Sequence, residues 1–224
     1  MVLPDAYPRL LVIVGPTGVG KSALALKIAA SWQGEIINAD SMQIYRYMDI
    51  GTAKPGKMER EKISHHLIDI IDPDEDFNAA LYTVMARKVI DGFAREKPLL
   101  VTGGTGLYIK ALLGGIAPVP GADEELRNDL KKKMQKFGKA YLYEMLKKKD
   151  NLSAQHIDPA NSGRVIRALE VWEQTGKSIV EQQLLHRFTD RLYPCLKIGL
   201  MMDREELYKR IERRTEEMIA HGFV

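Results

Sequence analysis

The chain has 224 residues, 45% of them hydrophobic and 28% charged, a composition that excludes disorder as the default and leaves room for one sizeable core plus an appended or inserted unit. Its single cysteine, Cys195, excludes an internal disulfide and fits a reducing compartment. With 33 lysines and arginines against 30 acidic residues the net charge is only +3, so no strong overall field points to nucleic acid.

No apolar run is long enough to cross a bilayer. The first ten residues carry Asp5 and two prolines, where a secretory signal needs an unbroken apolar core. The expected location is the cytosol, with no membrane attachment.

In chain order, the apolar run from Leu10 to Val14 predicts a strand, and Ala23 to Trp32 a helix. Between them Gly15, Pro16, Thr17, Gly18, Val19, Gly20, Lys21 and Ser22 form a complete phosphate-binding loop in its proper strand-loop-helix context. Its glycines let backbone N–H groups turn toward phosphate oxygens. The helix N-terminus adds its dipole, Lys21 a mobile charge and Ser22 a hydroxyl for Mg²⁺. The chain is therefore expected to bind a di- or triphosphate.

A second strand is predicted over Glu35 to Ala39, with Asp40 just past its end. In an open parallel sheet that end faces the ligand crevice. Asp40 is then a general base, a carboxylate acting on Mg²⁺ through bound water, or the N-cap of the next helix. Residues His65 to Ile71 alternate in polarity and read as a short strand or as a loop lining the site. Helical spacing runs from Ala79 to Arg95, with Pro98 beyond it. A third clear strand, Leu99 to Thr102, runs into a second glycine-rich loop ending at Thr105 and Gly106, which opens a helix. A nucleotidase carries an acidic Mg²⁺ ligand after such a strand, and that acid is missing. A threonine hydroxyl there can hydrogen-bond a phosphate oxygen but cannot hold a divalent ion as a carboxylate does.

From about residue 116 to 189 strand patterns vanish and charged helical patterns take over, predicting an inserted helical domain with helices over Glu124 to Phe137, Lys139 to Lys149 and Ser162 to Thr175, the last closed by Gly176. Lys131, Lys132, Lys133, Lys136, Lys139, Lys147, Lys148 and Lys149 crowd here. They form either a surface for a polyanion or a solvated helix face with acidic partners. A fourth strand is predicted over Leu196 to Met201, and a long amphipathic helix from Asp203 to His221 carries Arg210, Arg213 and Arg214. Arg213 or Arg214 could reach phosphate as a charge-stabilising finger. The fold class is α/β: residues 1–115 and 190–224 form a P-loop parallel sheet covered by helices, and residues 116–189 the insertion. No guanine-specificity motif and no metal-ligand spacing of histidine and cysteine are present.

Six motifs in order, the phosphate loop, Asn38 to Gln43, Gly51 to Pro55, His65 to Asp69, Gly103 to Tyr108 and Arg164 to Glu170, resemble the tRNA dimethylallyltransferase (tRNA isopentenyltransferase) family from Leu10 to Gly222. With no C-terminal zinc-finger pattern, the bacterial type is the closer match. The resemblance implies transfer of a dimethylallyl group from its diphosphate to N6 of the adenosine at position 37 of tRNA. It further implies Gly15 to Ser22 on the donor diphosphate, with Lys21 and Ser22 at phosphate and Mg²⁺. Asp40 would be the base, Thr105 a hydrogen-bond donor to the oxygen bridging prenyl carbon and phosphorus, and Arg214 the residue holding the departing diphosphate. Contacts with the tRNA anticodon stem-loop are implied for Asp40, Ser41, Met42, Gln43, Thr105, Arg127, Gly163, Arg164, Val165, Ile166 and Arg167. The helical domain would grip the stem. Members of that family continue past the final helix whereas this sequence stops at Val224, so contacts from a C-terminal tail are not expected within it. A monomer is the simplest expectation.

Two other readings use the same residues. One is an ATP-dependent small-molecule kinase with the helical domain as a lid. The other is a nucleotide-regulated RNA-binding module without catalysis.

Overall fold

The computed structural model describes residues 10–93 and 97–223. Five parallel strands, β1 (Leu10–Val14), β2 (Glu35–Asn38), β3 (His65–His66), β4 (Leu99–Thr102) and β5 (Leu196–Gly199), form one sheet in the order β3-β2-β4-β1-β5. Parallel pairing requires crossovers. They are supplied by α1 (Lys21–Trp32), α2 (Lys57–Lys62), α3 (Ala79–Phe93) and α4 (Gly106–Gly114), with α10 (Arg204–Ala220) following β5.

The period-two rule distributes the central strands between two apolar layers. Leu10 and Val12, Ile37, Leu99 and Val101 face α3 and α4, where they meet Tyr82, Ala86 and Leu112. Leu11, Ile13, Ile36 and Leu100 face α1, packing on Ala25 and Ala29. Because both faces are covered, the central strands read as unbroken apolar runs. Their register, Leu10 opposite Leu99 and Glu35 opposite Leu99 on the other side, brings the carboxyl ends of β1, β2 and β4 into line. Three loops therefore meet at one edge.

Contacts divide the chain into two compact units, residues 1–115 with 190–224, and residues 116–189. The second is wholly helical: α5 (Glu124–Phe137), α6 (Lys139–Lys149), α7 (Asn151–His156), α8 (Ser162–Thr175) and α9 (Ile179–His186). It has its own core, built on Leu130, Leu142, Leu146, Val165 and Leu169. Helix starts are capped by side chains, Asp123 on Leu126 N–H at 3.0 Å and Asn161 on Arg164 N–H at 3.1 Å. Gly176 closes α8 at φ 67°.

Three short helices, α2, α7 and α9, have no counterpart in the sequence reading, since six to eight residues are too few for a clear helical period. The segment from His65 to Ile71 is both of the things expected of it. Two residues pair with β2, and the chain then turns away with positive φ at Leu67 and Asp69. The second strand stops at Asn38, one residue short of the expected Ala39. Strand β5, expected over Leu196 to Met201, stops at Gly199, two short of Met201. Helix α3 is described to Phe93, and its expected end at Arg95 lies outside the described residues, as do Asp5 and the two N-terminal prolines.

Candidate active site

The loop after β1 turns into α1 at Gly20, whose φ of 100° is a conformation that L side chains rarely adopt. Lys21 is buried and folds back over the loop, donating to the carbonyls of Gly15 at 3.0 Å and Pro16 at 2.9 Å. Burial holds its pKa below the usual lysine value. The Asp40 carboxylate partly offsets this, and the Arg214 guanidinium adds to it. Two cations and one carboxylate thus share the same field. Arg214 lines the cavity over the loop, whereas Arg213, the residue before it on α10, is exposed and does not line it. Arg210 reaches the loop too, with Nη1 3.5 Å from the Gly18 carbonyl.

Asn38, buried at the end of β2, shapes the second loop. Its Nδ2 donates to the carbonyls of Asp40 and Leu67, and its Oδ1 accepts from Asp40 N–H. Asp40 Oδ1 accepts from Met42 N–H at 2.9 Å, an Asx turn in which the other oxygen, Oδ2, is left facing Gly104.

The third loop crosses directly over the second. Gly103 lies so close to it that an added Cβ would sit 2.1 Å from the Ala39 carbonyl carbon. Thr105 N–H donates to Ala39 O at 2.9 Å, and Thr105 Oγ1 accepts from Ser41 N–H at 2.8 Å. Although Thr105 is the N-cap of α4, its side chain makes no cap bond there. With a lone pair of the hydroxyl taken by Ser41, its proton is available to a ligand.

A cavity of about 600 Å³ lies over these loops, lined by Thr17, Gly18, Gly20, Lys21, Ser22, Asp40, Gln43, Gly104 and Arg214, with apolar walls from Leu26, Ile36 and Ile68. Its outer wall is fastened by Lys54, whose side chain is 1% exposed and whose Nζ donates to Asp49 and Asp69, both at 2.6 Å, and to the Tyr45 carbonyl at 2.8 Å. Asp69 is also bound by Arg60 at 2.5 Å. Burial alone would raise the Asp69 carboxyl's pKa, but hydrogen bonds from Lys54 and Arg60 hold it below the ordinary carboxylate value. Gln43 Nε2 ties the same wall to the carbonyls of Thr52 and Ala53. Sequence reading quoted Lys54 and Asp69 as motif residues without assigning them work. Asp49 and Asp69 lie five and fifteen residues from Lys54, so their pairing with it needs the fold.

The residues expected at tRNA fall in different settings. Ser41 and Gln43 are partly exposed and Met42 exposed beside Asp40. In the helical unit Gly163 and Arg164 are exposed, while Val165 and Ile166 are buried in its core, at 1% and 6% exposure, because they lie on the inner stripe of α8. Arg127 and Arg167 are engaged with Glu170, a fully buried carboxylate, at 3.2 and 2.6 Å. Arg167 also binds the carbonyls of Pro120 and Gly121. Of the clustered lysines, Lys133, Lys147 and Lys149 pair with Asp129, Glu144 and Glu173. Lys131, Lys132, Lys136, Lys139 and Lys148 have no ion-pair partner among the described residues.

A family model described as IPP transferase matches residues 43–224. The chain belongs to the IPP transferase family. It is 56% identical over 218 residues to tRNA dimethylallyltransferase 2 of Syntrophus aciditrophicus (strain SB), covering 97% of this chain and 70% of that protein. It is 47% identical over 217 residues to the tRNA dimethylallyltransferase of Geobacter sulfurreducens, covering 96% and 70%. Among solved structures of the family, the tRNA isopentenylpyrophosphate transferase of Bacillus halodurans aligns with TM-score 0.62 and 40% identity over 95% of this chain and 66% of that one. A eukaryotic dimethylallyltransferase acting on tRNA aligns with TM-score 0.78 and 30% identity over 95% and 53%. The chain thus spans about 70% of the length of these curated family members. No helix among the described residues is long and apolar enough to cross a membrane.

Proposed function

We propose that this chain transfers a dimethylallyl group from dimethylallyl diphosphate to N6 of adenosine 37 in tRNA, releasing diphosphate. Support comes from one arrangement: the free oxygen of Asp40 and the hydroxyl of Thr105 are braced by the same pair of crossing loops, above a phosphate loop whose lysine and nearby Arg214 make the cavity cationic. As the allylic carbon–oxygen bond breaks, its electron pair passes to the diphosphate. Loop N–H groups, Lys21 and Arg214 stabilise that growing charge, and Thr105 donates to the bridging oxygen. The N6 nitrogen forms the new bond to carbon, and Asp40 Oδ2 takes the proton it loses.

A divalent cation fits this site in company with the substrate. No cluster of three or more histidines, cysteines or carboxylates among the described residues could hold one alone. The cavity offers the Ser22 hydroxyl, so diphosphate oxygens and water would supply most of the ligands of Mg²⁺. When bound, Mg²⁺ neutralises charge on the diphosphate.

The acceptor is tRNA, and the cytoplasm is the place of reaction. Exposed Met42, Gly163 and Arg164 and the five lysines without carboxylate partners offer contacts to it, whereas Arg127 and Arg167 are engaged with Glu170 within the helical unit. The kinase reading is not favoured, since the family members named above are transferases of a prenyl group to tRNA. The deciding experiment incubates tRNA with labelled dimethylallyl diphosphate and weighs its nucleosides. A prenylated adenosine is expected. Its absence, with ATP rather than dimethylallyl diphosphate protecting the protein from heat, would restore the kinase.

A further inference from the structure

Five buried side-chain atoms have no hydrogen-bond partner among the described residues: Tyr82 Oη, Arg87 Nε, Thr102 Oγ1, Asp150 Oδ2 and Ser162 Oγ. Of these residues only Thr102 lines the cavity over the phosphate loop. Thr102 is the last residue of β4 and is 7% exposed. It shares a sheet face with Leu100, two residues earlier, which packs on Ala25 and Ala29 of α1. That is the face carrying Lys21 and Ser22 at the start of the same helix. An unpaired buried hydroxyl costs stability, so its retention beside a ligand cavity calls for a partner that arrives with the ligand.

Strand β4 pairs with β1, whose end carries the phosphate loop, so Thr102 stands where phosphoryl-transferring P-loop enzymes place the carboxylate that helps to hold Mg²⁺. A neutral hydroxyl brings none of that carboxylate's charge to the ion, but it can accept a hydrogen bond from water bound to it. We infer that Thr102 is a binding residue for the magnesium diphosphate unit, its hydroxyl accepting from water on the cation. The inference rests on reading the cavity as a prenyl diphosphate site. Neutrality suits that chemistry. The whole diphosphate departs carrying increased negative charge, and a carboxylate at this position would oppose it.

The test is titration calorimetry of inorganic pyrophosphate, with excess Mg²⁺ and with chelator, into the wild type, Thr102→Val and Thr102→Ser, together with the melting temperature of each ligand-free protein. Valine matches threonine in shape and removes the orphan hydroxyl. Thr102→Val is expected to melt above the wild type, to bind magnesium pyrophosphate about tenfold more weakly, and to bind metal-free pyrophosphate unchanged. Thr102→Ser should keep wild-type binding. The inference fails if Thr102→Val binds magnesium pyrophosphate as the wild type does. It also fails if the loss is the same with and without Mg²⁺, which would put the hydroxyl on a phosphate oxygen instead. A wild type that binds no pyrophosphate under either condition would remove the prenyl diphosphate reading itself.

Discussion

Asp40 divides its two oxygens between structure and chemistry. Oδ1 closes the turn onto Met42 N–H, which fixes the rotamer, and Oδ2 is left to the cavity. The N-cap role open to it from position alone is not realised, because a turn and not a helix follows Asp40 and the next helix begins at Lys57. Asp40→Asn keeps an oxygen for the turn but loses the proton acceptor. It is expected to leave dimethylallyl diphosphate binding near normal while lowering the single-turnover rate about 10²–10⁴-fold. A rate within a few-fold of the wild type would remove the base. Thr105 is the complementary case. As an N-cap it would ordinarily bond its own helix, but it accepts from Ser41 on another loop, so its hydroxyl is aimed by tertiary contact.

The loops after β2 and β4 work as one unit because Gly103 lets their backbones touch. The third-loop motif is rich in glycine, and this position shows what one of them is for. A methyl at Gly103 would collide with the Ala39 carbonyl and the Asp40 N–H, atoms of the strand end that carries the base. Gly103→Ala is expected to cost about 1–3 kcal/mol of stability and to lower turnover at temperatures where the protein remains fully folded. Urea denaturation read beside single-turnover rates would show both effects. Unchanged turnover in a destabilised protein would mean that the loop contact does not aim Asp40. The outer wall follows the same logic with charge instead of contact: the buried Lys54 joins the loop of Gly51 to Pro55 to the segment after β3 through an ion pair with the partly exposed Asp69.

The helical unit stands on its own core, and its polar centre is Glu170. Burial by itself would raise the pKa of this carboxyl, but hydrogen bonds from Arg167, the Asp123 N–H and Arg127 hold it below the ordinary value. A lowered folded-state pKa contributes stability that is complete above the unfolded carboxylate range, near about 4.3. That contribution is lost as pH falls from there through the folded value. The wild type should therefore lose melting temperature over that acid window. Glu170→Gln should be about 3–5 kcal/mol less stable at neutral pH, because two arginines then lack their counter-charge, and should lose less on acidification. Equal acid sensitivity in the two would contradict the assignment. On the surface of the same unit, Arg164→Ala is expected to weaken tRNA binding with a salt slope smaller by about one. An unchanged slope in filter-binding or anisotropy titrations would exclude a phosphate contact at Arg164.

Much of this was legible without coordinates. The strand-loop-helix context of Gly15 to Ser22, the apolar runs of β1, β2 and β4, and the bounds of α5, α6 and α8 follow from spacing that no tertiary contact needs to explain. They are local: a phosphate loop is defined by consecutive residues, and a long helix by its own period. Other features depended on which chain segments meet. No local pattern distinguishes Arg213 from Arg214, because the step of about 100° between neighbouring helical residues separates facing the cavity from facing water only once α10 is docked. Arg127 and Arg167 read as surface cations until Glu170, more than forty residues from Arg127 in sequence, is seen buried between them at 3.2 and 2.6 Å. Thr102 was the last residue of a predicted strand, and only its enclosure without a partner marks it as a ligand-binding candidate. Sequence by itself determined the phosphate loop, the fold class and the family resemblance, since these are written in contiguous residues. Tertiary structure decided which charges are spent on each other and which remain for a ligand, because that depends on partners brought together from distant parts of the chain.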